Sequence, residues 1–546
     1  MTGILMIFVS IVILGIAYRY FGNFLEKTFK VDDTRPTPAH AQYDGIDYVP
    51  AKAPVLLGHH FASIAGAGPI VGTIIASAFG WIPVFLWAML GSIFLGGLHD
   101  YSALMASIRH KGKSIGQIIE KNIGVRGEQL FLLFCWSTII LVIAVFINIV
   151  ADTFVNTPSS GTSSIFFIFL AIAFGVSIYR LRTPLWLATV IGVILLFSGV
   201  VLGNYYPAFA SREFWQWTLI IYIFIASVAP VWILLQPRDY LNSFLLYALI
   251  GGGVIGIFFY KPDINLPAFT TFTVKELGPM VPILFVTIAC GAISGFHALV
   301  SSGTSSKQIN KESDARIIGY GGMLIEGLLA IVALIAVGSL TDSEFDNFYS
   351  AQLFVPAFAE GIGRFIHAIP GLNISMDMAR TFTSLAVSAF ALTSLDTATR
   401  LARYAFQEFF EMPDRTPEQQ NVFATNRYLA TFITVSFGAA LTFSGKSSAI
   451  WPIFGSANQL LAALALLAVS VWLAKEHGNY LLTLIPAIFM LIITVIALLM
   501  LSWTHLVVNQ NYLLGVTAVV LLILAGVLTT VVLRFIRKEI RVTILK

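Results

Sequence analysis

Fifteen stretches of about twenty mostly apolar residues divide this 546-residue chain, and that is the length an α-helix needs to cross a bilayer. They run over 3–21, 56–79, 83–108, 129–151, 163–179, 184–203, 216–235, 241–260, 280–302, 317–340, 380–405, 424–444, 450–474, 480–502 and 512–536. Hydrophobic residues make up 57% of the chain and charged ones only 11%. A water-facing surface needs roughly 25%. The sequence therefore predicts an all-α polytopic membrane protein of about 15 transmembrane helices, in contact with lipid and unsuited to nucleic acid.

The charge distribution gives an orientation. Counted on alternate sides of the spans, 26 of the 32 Lys and Arg residues fall on one side and 6 on the other. The positive side faces the cytoplasm, so the N-terminus is expected outside and the C-terminal RFIRKEIRVTILK inside. No basic residue precedes 3–21 and no small-residue cleavage site follows it, so it reads as an uncleaved anchor. Residues 31–54 form a cytoplasmic Pro- and Asp-rich loop and 341–379 an acidic outer one, in which 351–370 reads as an interfacial or re-entrant helix. Cys135 and Cys290 lie in apolar runs, with no metal-type spacing and no disulfide expected.

One span has an odd composition. Residues 58–72 read GHHFASIAGAGPIVG, with four glycines and a proline in one apolar segment. Small residues let helices pack closely, so glycine alone leaves that reading open. Gly-Ala-Gly-Pro favours a break, because proline removes a backbone donor and unwound backbone at membrane depth survives only where it lines a protein cavity. Secondary carriers place such breaks at the substrate site, in matching spans of an inverted repeat. Ser63, Gly66, Gly68 and Pro69 form the first candidate break. The second is expected five spans on, at Ser227, Pro230 and Trp232. The repeats would then be spans two to six and seven to eleven, a 5+5 arrangement.

Ionisable groups inside spans are functional candidates. His59, His60, His99, Asp100, His297, Glu326, Asp396, Arg400 and Arg403 are such groups, and Asp396 and Arg400 are spaced i,i+4 as an ion pair. His59 or His297 suits a coupling proton, since histidine changes charge near neutral pH. The hydroxyl-rich stretches 294–306 and 388–400 offer Ser301, Ser302, Thr304, Thr393, Ser394 and Asp396 as oxygen ligands for a small cation, proton or sodium. The first of these stretches is expected to face the break at 63–69. No HExxH, G-x-S-x-G or phosphate loop occurs, so enzyme chemistry, a cofactor, a metal centre and ATP-driven transport are not expected. A membrane sensor or scaffold, a channel and a sodium-coupled carrier of another small organic solute remain as alternatives.

The runs RPTPAH, DGIDYVPA, GHHFASIAGAGPIVG, PVWILLQPRDYLN, CGAISGFHALVSSGTSSKQI, TSLDTATRLARY and WPIFGSANQLLAAL resemble the carbon-starvation (CstA) family of bacterial inner-membrane transporters. They extend from about residue 35 to 464, and the last two spans carry no matching motif. The resemblance implies the APC superfamily with a LeuT-like core at 56–405, preceded by an anchor helix and loop at 1–55 and followed by further helices at 406–546. It also implies ion-driven uptake of short peptides or pyruvate during carbon starvation.

Overall fold

The structure, a computed structural model, describes residues 2–45, 48–230, 233–275, 277–411, 419–444, 447–476 and 478–544. Apolar runs in lipid satisfy their backbone polar groups only as helix or closed barrel, and here they are helical: α1 (Gly3–Thr28), α2 (Ala53–Ile64), α3 (Gly68–Ala76), α4 (Trp81–Arg109), α5 (Val125–Asn156), α6 (Pro158–Tyr179), α7 (Leu185–Tyr205), α8 (Arg212–Val228) and α9 (Leu235–Tyr260). There follow α10 (Met280–Thr287), α11 (Gly295–Gly303), α12 (Arg316–Gly338), α13 (Phe354–His367), α14 (Met376–Phe410), α15 (Arg427–Thr442), α16 (Ser447–Lys475), α17 (Leu481–Val508) and α18 (Tyr512–Ile544). A two-stranded ribbon pairs Thr273–Val274 with Gly278–Pro279.

Among the described residues, ten helices are long and apolar enough to cross a membrane, or eleven if the bent pair formed by α2 and 68–79 is one span. Segments 212–228, 280–303, 376–410 and 427–442 are helical but fall short in length, continuity or hydropathy.

Burial sorts the helices into layers. Helices α5, α12 and α16 are buried along most of their length, whereas α1, α7 and α18 turn large apolar side chains outward. In the inner layer α5 lies along α14, α2 against α9, α11 against α16, α3 against α12, and α4 against α11. Helix α8 packs on α5 and α15 on α14. Helices α6 and α7 form a hairpin on the flank of this group. Helix α13, in the segment read as interfacial or re-entrant, lays its buried face against α9, α12 and α14.

Three long helices carry one widened turn each, at Gly91–Gly96 in α4, Arg316–Gly321 in α12 and Thr504–Val508 in α17. Such turns concentrate at functional sites.

Candidate functional site

The expected first break is present. Helix α2 stops at Ile64, Ala65–Ala67 are non-helical, and the next segment leaves at 47°. Gly68 and Pro69 occupy the first turn of α3, where proline's missing N–H costs nothing. The Ser63 hydroxyl donates to the His59 carbonyl (2.9 Å). The Ser63 carbonyl, at the unwound end, accepts from the Ser394 hydroxyl of α14 at 3.5 Å. Gly66 lies so close to α14 that a Cβ there would sit 2.7 Å from Ser394 Oγ.

The second break is elsewhere than expected. Helix α8 is regular to Val228 and then ends. Ala229 is extended (φ −68°, ψ 150°), as a residue before proline prefers, so Pro230 opens a connection and does not interrupt a span. Ser227 is buried there, 3.4 Å from the Thr431 hydroxyl, and Trp232 lies outside the described residues. The interruption is at 288–294, between α10 and α11, in a segment that reads as one regular span.

The two breaks meet. A Cβ on Gly68 would lie 2.5 Å from Cys290 Sγ, one on Gly72 2.3 Å from the Thr287 carbonyl, and one on Gly291 3.5 Å from Pro69 Cα. From the other side, the widened turn of α4 closes on the same backbone. A Cβ on Gly91 would be 2.6 Å from Ala292 Cβ, and one on Gly96 2.3 Å from the Ala292 carbonyl. Only hydrogen in place of a side chain permits the approaches at Gly68, Gly72, Gly91 and Gly96.

Unwinding 288–294 leaves backbone groups without helical partners, and α16 supplies them. Trp451 Nε1 donates to the Thr287 carbonyl (3.1 Å), Gln459 Nε2 to the Phe285 carbonyl (2.7 Å), and Phe296 N donates to Asn458 Oδ1 (2.9 Å). Asn458 Nδ2 also donates to the Ser294 hydroxyl (3.0 Å). Sequence reasoning assigned these residues no role, although Asn458 and Gln459 stand side by side in an otherwise apolar run.

Beside the breaks lies a fully buried chain of ionisable groups. Asp100 takes His99 Nδ1 on one oxygen and His297 Nδ1 on the other, each at 2.8 Å. The far nitrogen of His297, Nε2, is 3.4 Å from Glu326 Oε2. His60 Nδ1 shares a hydrogen with the Ser305 hydroxyl at 2.8 Å. Neither Glu326 oxygen has a hydrogen-bond partner. His59 is outside this group, partly exposed, with Nδ1 4.0 Å from Asp239.

A second buried network joins α9 to α14. Arg238 pairs with Asp396, with both side chains at most 1% exposed, and also donates to the Tyr222 hydroxyl (2.7 Å) and to Asp239 (3.2 Å). Tyr222 donates to Asp396 as well (2.8 Å), and Asn242 donates to the Thr393 hydroxyl (2.5 Å). The i,i+4 pairing of Asp396 with Arg400 does not form. Arg400 instead donates to the Ala226 and Ala229 carbonyls, and Arg403 to that of Ser227, closing the C-terminal end of α8.

Of the hydroxyls expected near a cation, Ser302 and Thr304 donate to the Ala298 and Val300 carbonyls of their own helix, and Ser301 is buried without a partner. The stretch 294–306 meets the first broken span at Ser305–His60, while Cys290 and Gly291, just before it, take the contact with Gly68 and Pro69. Among the described residues, no three His, Cys, Asp or Glu side chains converge as a metal would require.

Comparison with known proteins places the chain in a family. The model of the family "Carbon starvation protein CstA" matches residues 2–355 and 347–497. The "Peptide transporter CstA" of Bacillus subtilis (strain 168) is 35% identical over 542 residues, covering 91% of this chain and 90% of its own length. Two Escherichia coli (strain K12) proteins are each 32% identical. The "Peptide transporter CstA" match covers 89% of this chain and 79% of that protein, and the "Pyruvate/proton symporter BtsT" match 90% and 80%. Among solved structures, the Eremococcus coleocola manganese transporter mutant E129Q aligns at 14% identity with a TM-score of 0.45, covering 91% of this chain and 99% of that one. The chain belongs to the carbon-starvation protein CstA family.

Proposed function

We propose that this protein is a secondary carrier of the bacterial inner membrane that imports short peptides or pyruvate together with a proton. The observation that carries this reading is the meeting of two interrupted spans, Gly68 against Cys290. Unwound backbone facing unwound backbone inside a bilayer is what a solute site between half-helices needs: amide ends for a carboxylate and free carbonyls for an ammonium group. The names of the relatives, peptide transporter and pyruvate/proton symporter, agree with that chemistry.

The proposed transport core is a LeuT-like 5+5 inverted repeat within about fifteen spans. One half comprises α2–α3, α4, α5, α8 and α9, with the α6–α7 hairpin inserted; the other comprises α10–α11, α12, α14, α15 and α16. Inversion demands that each contact recur with the halves exchanged. The pairs α2–α9 and α10–α16, α3–α12 and α11–α4, and α5–α8 and α14–α15 follow that rule. This moves the C-terminal limit of the core from 405 to 475. Residues 1–55 remain an anchor and loop, with the N-terminus outside and the C-terminus cytoplasmic.

Ser63, Gly66, Gly68 and Pro69 form the substrate side of the first break, and 288–294 replaces 227–232 opposite it. Thr393, Ser394 and Asp396 would suit a sodium ion, but a cation is already tethered there: the Arg238 guanidinium holds Asp396. That favours the proton. The test is uptake of labelled pyruvate and of a labelled dipeptide into proteoliposomes under imposed proton or sodium gradients. Accumulation driven by protons is expected; accumulation driven by sodium alone, or by neither, overturns the reading.

A further inference from the structure

A buried, ordered chain of acids and bases needs a reason, because each group costs several kcal/mol to strip of water unless it is paired. Asp100 is paired twice, with the Nδ1 atoms of His99 and His297. A carboxylate only accepts, so both rings place their hydrogen on Nδ1. The consequence for His297 is specific: Nε2 is left to carry either a lone pair or the second proton, and it points at the unbonded carboxyl of Glu326, 3.4 Å away. The remaining titratable groups around the pair are His60 on α2 and Cys290 in the break, neither of which donates to Glu326. Among the described residues, no arginine or lysine forms an ion pair or hydrogen bond with it.

Resting on the carrier reading above, we propose that the transported proton is held between His297 Nε2 and the Glu326 carboxyl, and that Asp100 is the positioning residue that fixes His297 in the tautomer this requires. In the empty state His297 is neutral and Glu326 a carboxylate. Loading adds one proton, shared as N–H on the imidazolium or O–H on the acid, and release returns it to water with no other bond changed.

The geometry also supplies the coupling. His297 rides on α11, just past the second break, and Glu326 on α12. Ala330, one turn beyond Glu326, packs on the break itself, 2.9 Å from where a Cβ on Gly291 would lie. Any solute that repositions 288–294 therefore moves His297 relative to Glu326, and when the pair is drawn apart and opened to water the proton passes to that water, because hydration stabilises the carboxylate left behind.

The full-length protein in detergent gives a readout that needs no substrate. An infrared difference spectrum between about pH 5 and about pH 9 is expected to show a carboxylic acid C=O band that disappears in both Glu326→Gln and His297→Gln. Asp100→Asn is expected to keep the band and displace its midpoint. In proteoliposomes, Glu326→Gln is expected to lose proton-driven accumulation at least about tenfold more than downhill exchange. A band unchanged in both Gln variants, or Glu326→Gln accumulating solute with the wild-type pH profile, overturns the proposal. If the wild type moves neither pyruvate nor dipeptide, the substrate reading fails while the infrared titration still decides the proton site. Should Glu326→Gln not fold, Glu326→Asp must displace the band, and an unmoved band is again a negative answer.

Discussion

Gly68 and Cys290 touch so closely that the smallest side chain on the first would fall 2.5 Å from the sulfur and 2.6 Å from the Cβ of the second. The contact joins two unwound segments, so it sets the distance between them. Gly68→Ala is expected to force the breaks apart at about 1–3 kcal/mol and to cut uptake severely, and Gly68→Leu to abolish it with membrane insertion intact. Because the second clash is with Cβ, Cys290→Gly is expected to restore part of the Gly68→Ala loss, where Cys290→Ser would not. Uptake by the two Gly68 variants and the two double variants, normalised to membrane content, checks this.

Arg238 is the buried cation facing two carboxylates, Asp396 and Asp239, so removing it strands both, and removing Asp396 takes away its closer partner. Asp396→Asn and Arg238→Gln are each expected to destabilise the protein by about 3–5 kcal/mol. Asp396→Leu and Asp239→Leu combined with Arg238→Met should recover most of that stability but not transport. Thermal unfolding in detergent separates the two effects.

Glu344 lies outside the spans, where hydrogen bonds from Arg364 (2.6 Å and 3.3 Å) and from the Thr341 amide (3.0 Å) hold its carboxyl down at about 2. A lowered folded value means the contribution is complete above the ordinary carboxylate range, near 4.5, and fades as pH falls toward 2. Hydrogen exchange over 342–367, corrected for its intrinsic acid dependence, is expected to accelerate in that window. Glu344→Gln should exchange faster than wild type at neutral pH and show no such step.

Glu312 is the buried anchor of the loop that follows α1. It accepts from Arg109 (2.8 Å and 2.9 Å) and from the Asp32 amide (2.9 Å), while the Thr37 hydroxyl donates to the Ile309 carbonyl (2.7 Å) and Asp33 accepts from Ser313 (2.7 Å). Glu312→Ala leaves Arg109 without its carboxylate and is expected to release residues 31–45. Limited proteolysis of inverted vesicles should then cut there several times faster than in wild type.

What could be read from the chain follows from how local each signal is. The break at 65–67 was legible because Gly66, Gly68 and Pro69 are its own cause. The break at 288–294 was not, because Cys290, Ala292 and Ile293 read as ordinary apolar span and the side chains that make unwinding tolerable, Trp451, Asn458 and Gln459, come from 162 to 174 residues away. Pro230 misled for the opposite reason: it is a strong breaker, used here to end α8. The Asp396–Arg400 spacing was a fair local inference, overridden by Arg238, which sequence placed in a connecting loop. His297 was found as a lone membrane-embedded base; its partners Asp100 and Glu326 belong to other helices, so the chain they form emerges only on folding.

Because the Arg238 guanidinium is bound to the scaffold and stays behind in every cycle, it adds nothing to the current that a cycle carries. The charge moved is that of solute plus proton alone. Pyruvate, a monoanion, would cross with one proton as a neutral package, blind to voltage, whereas a zwitterionic dipeptide would bring in one net positive charge and gain about 2.3 kcal/mol per 100 mV. Clamping the potential with a potassium ionophore would thus tell which cargo the carrier is built to concentrate.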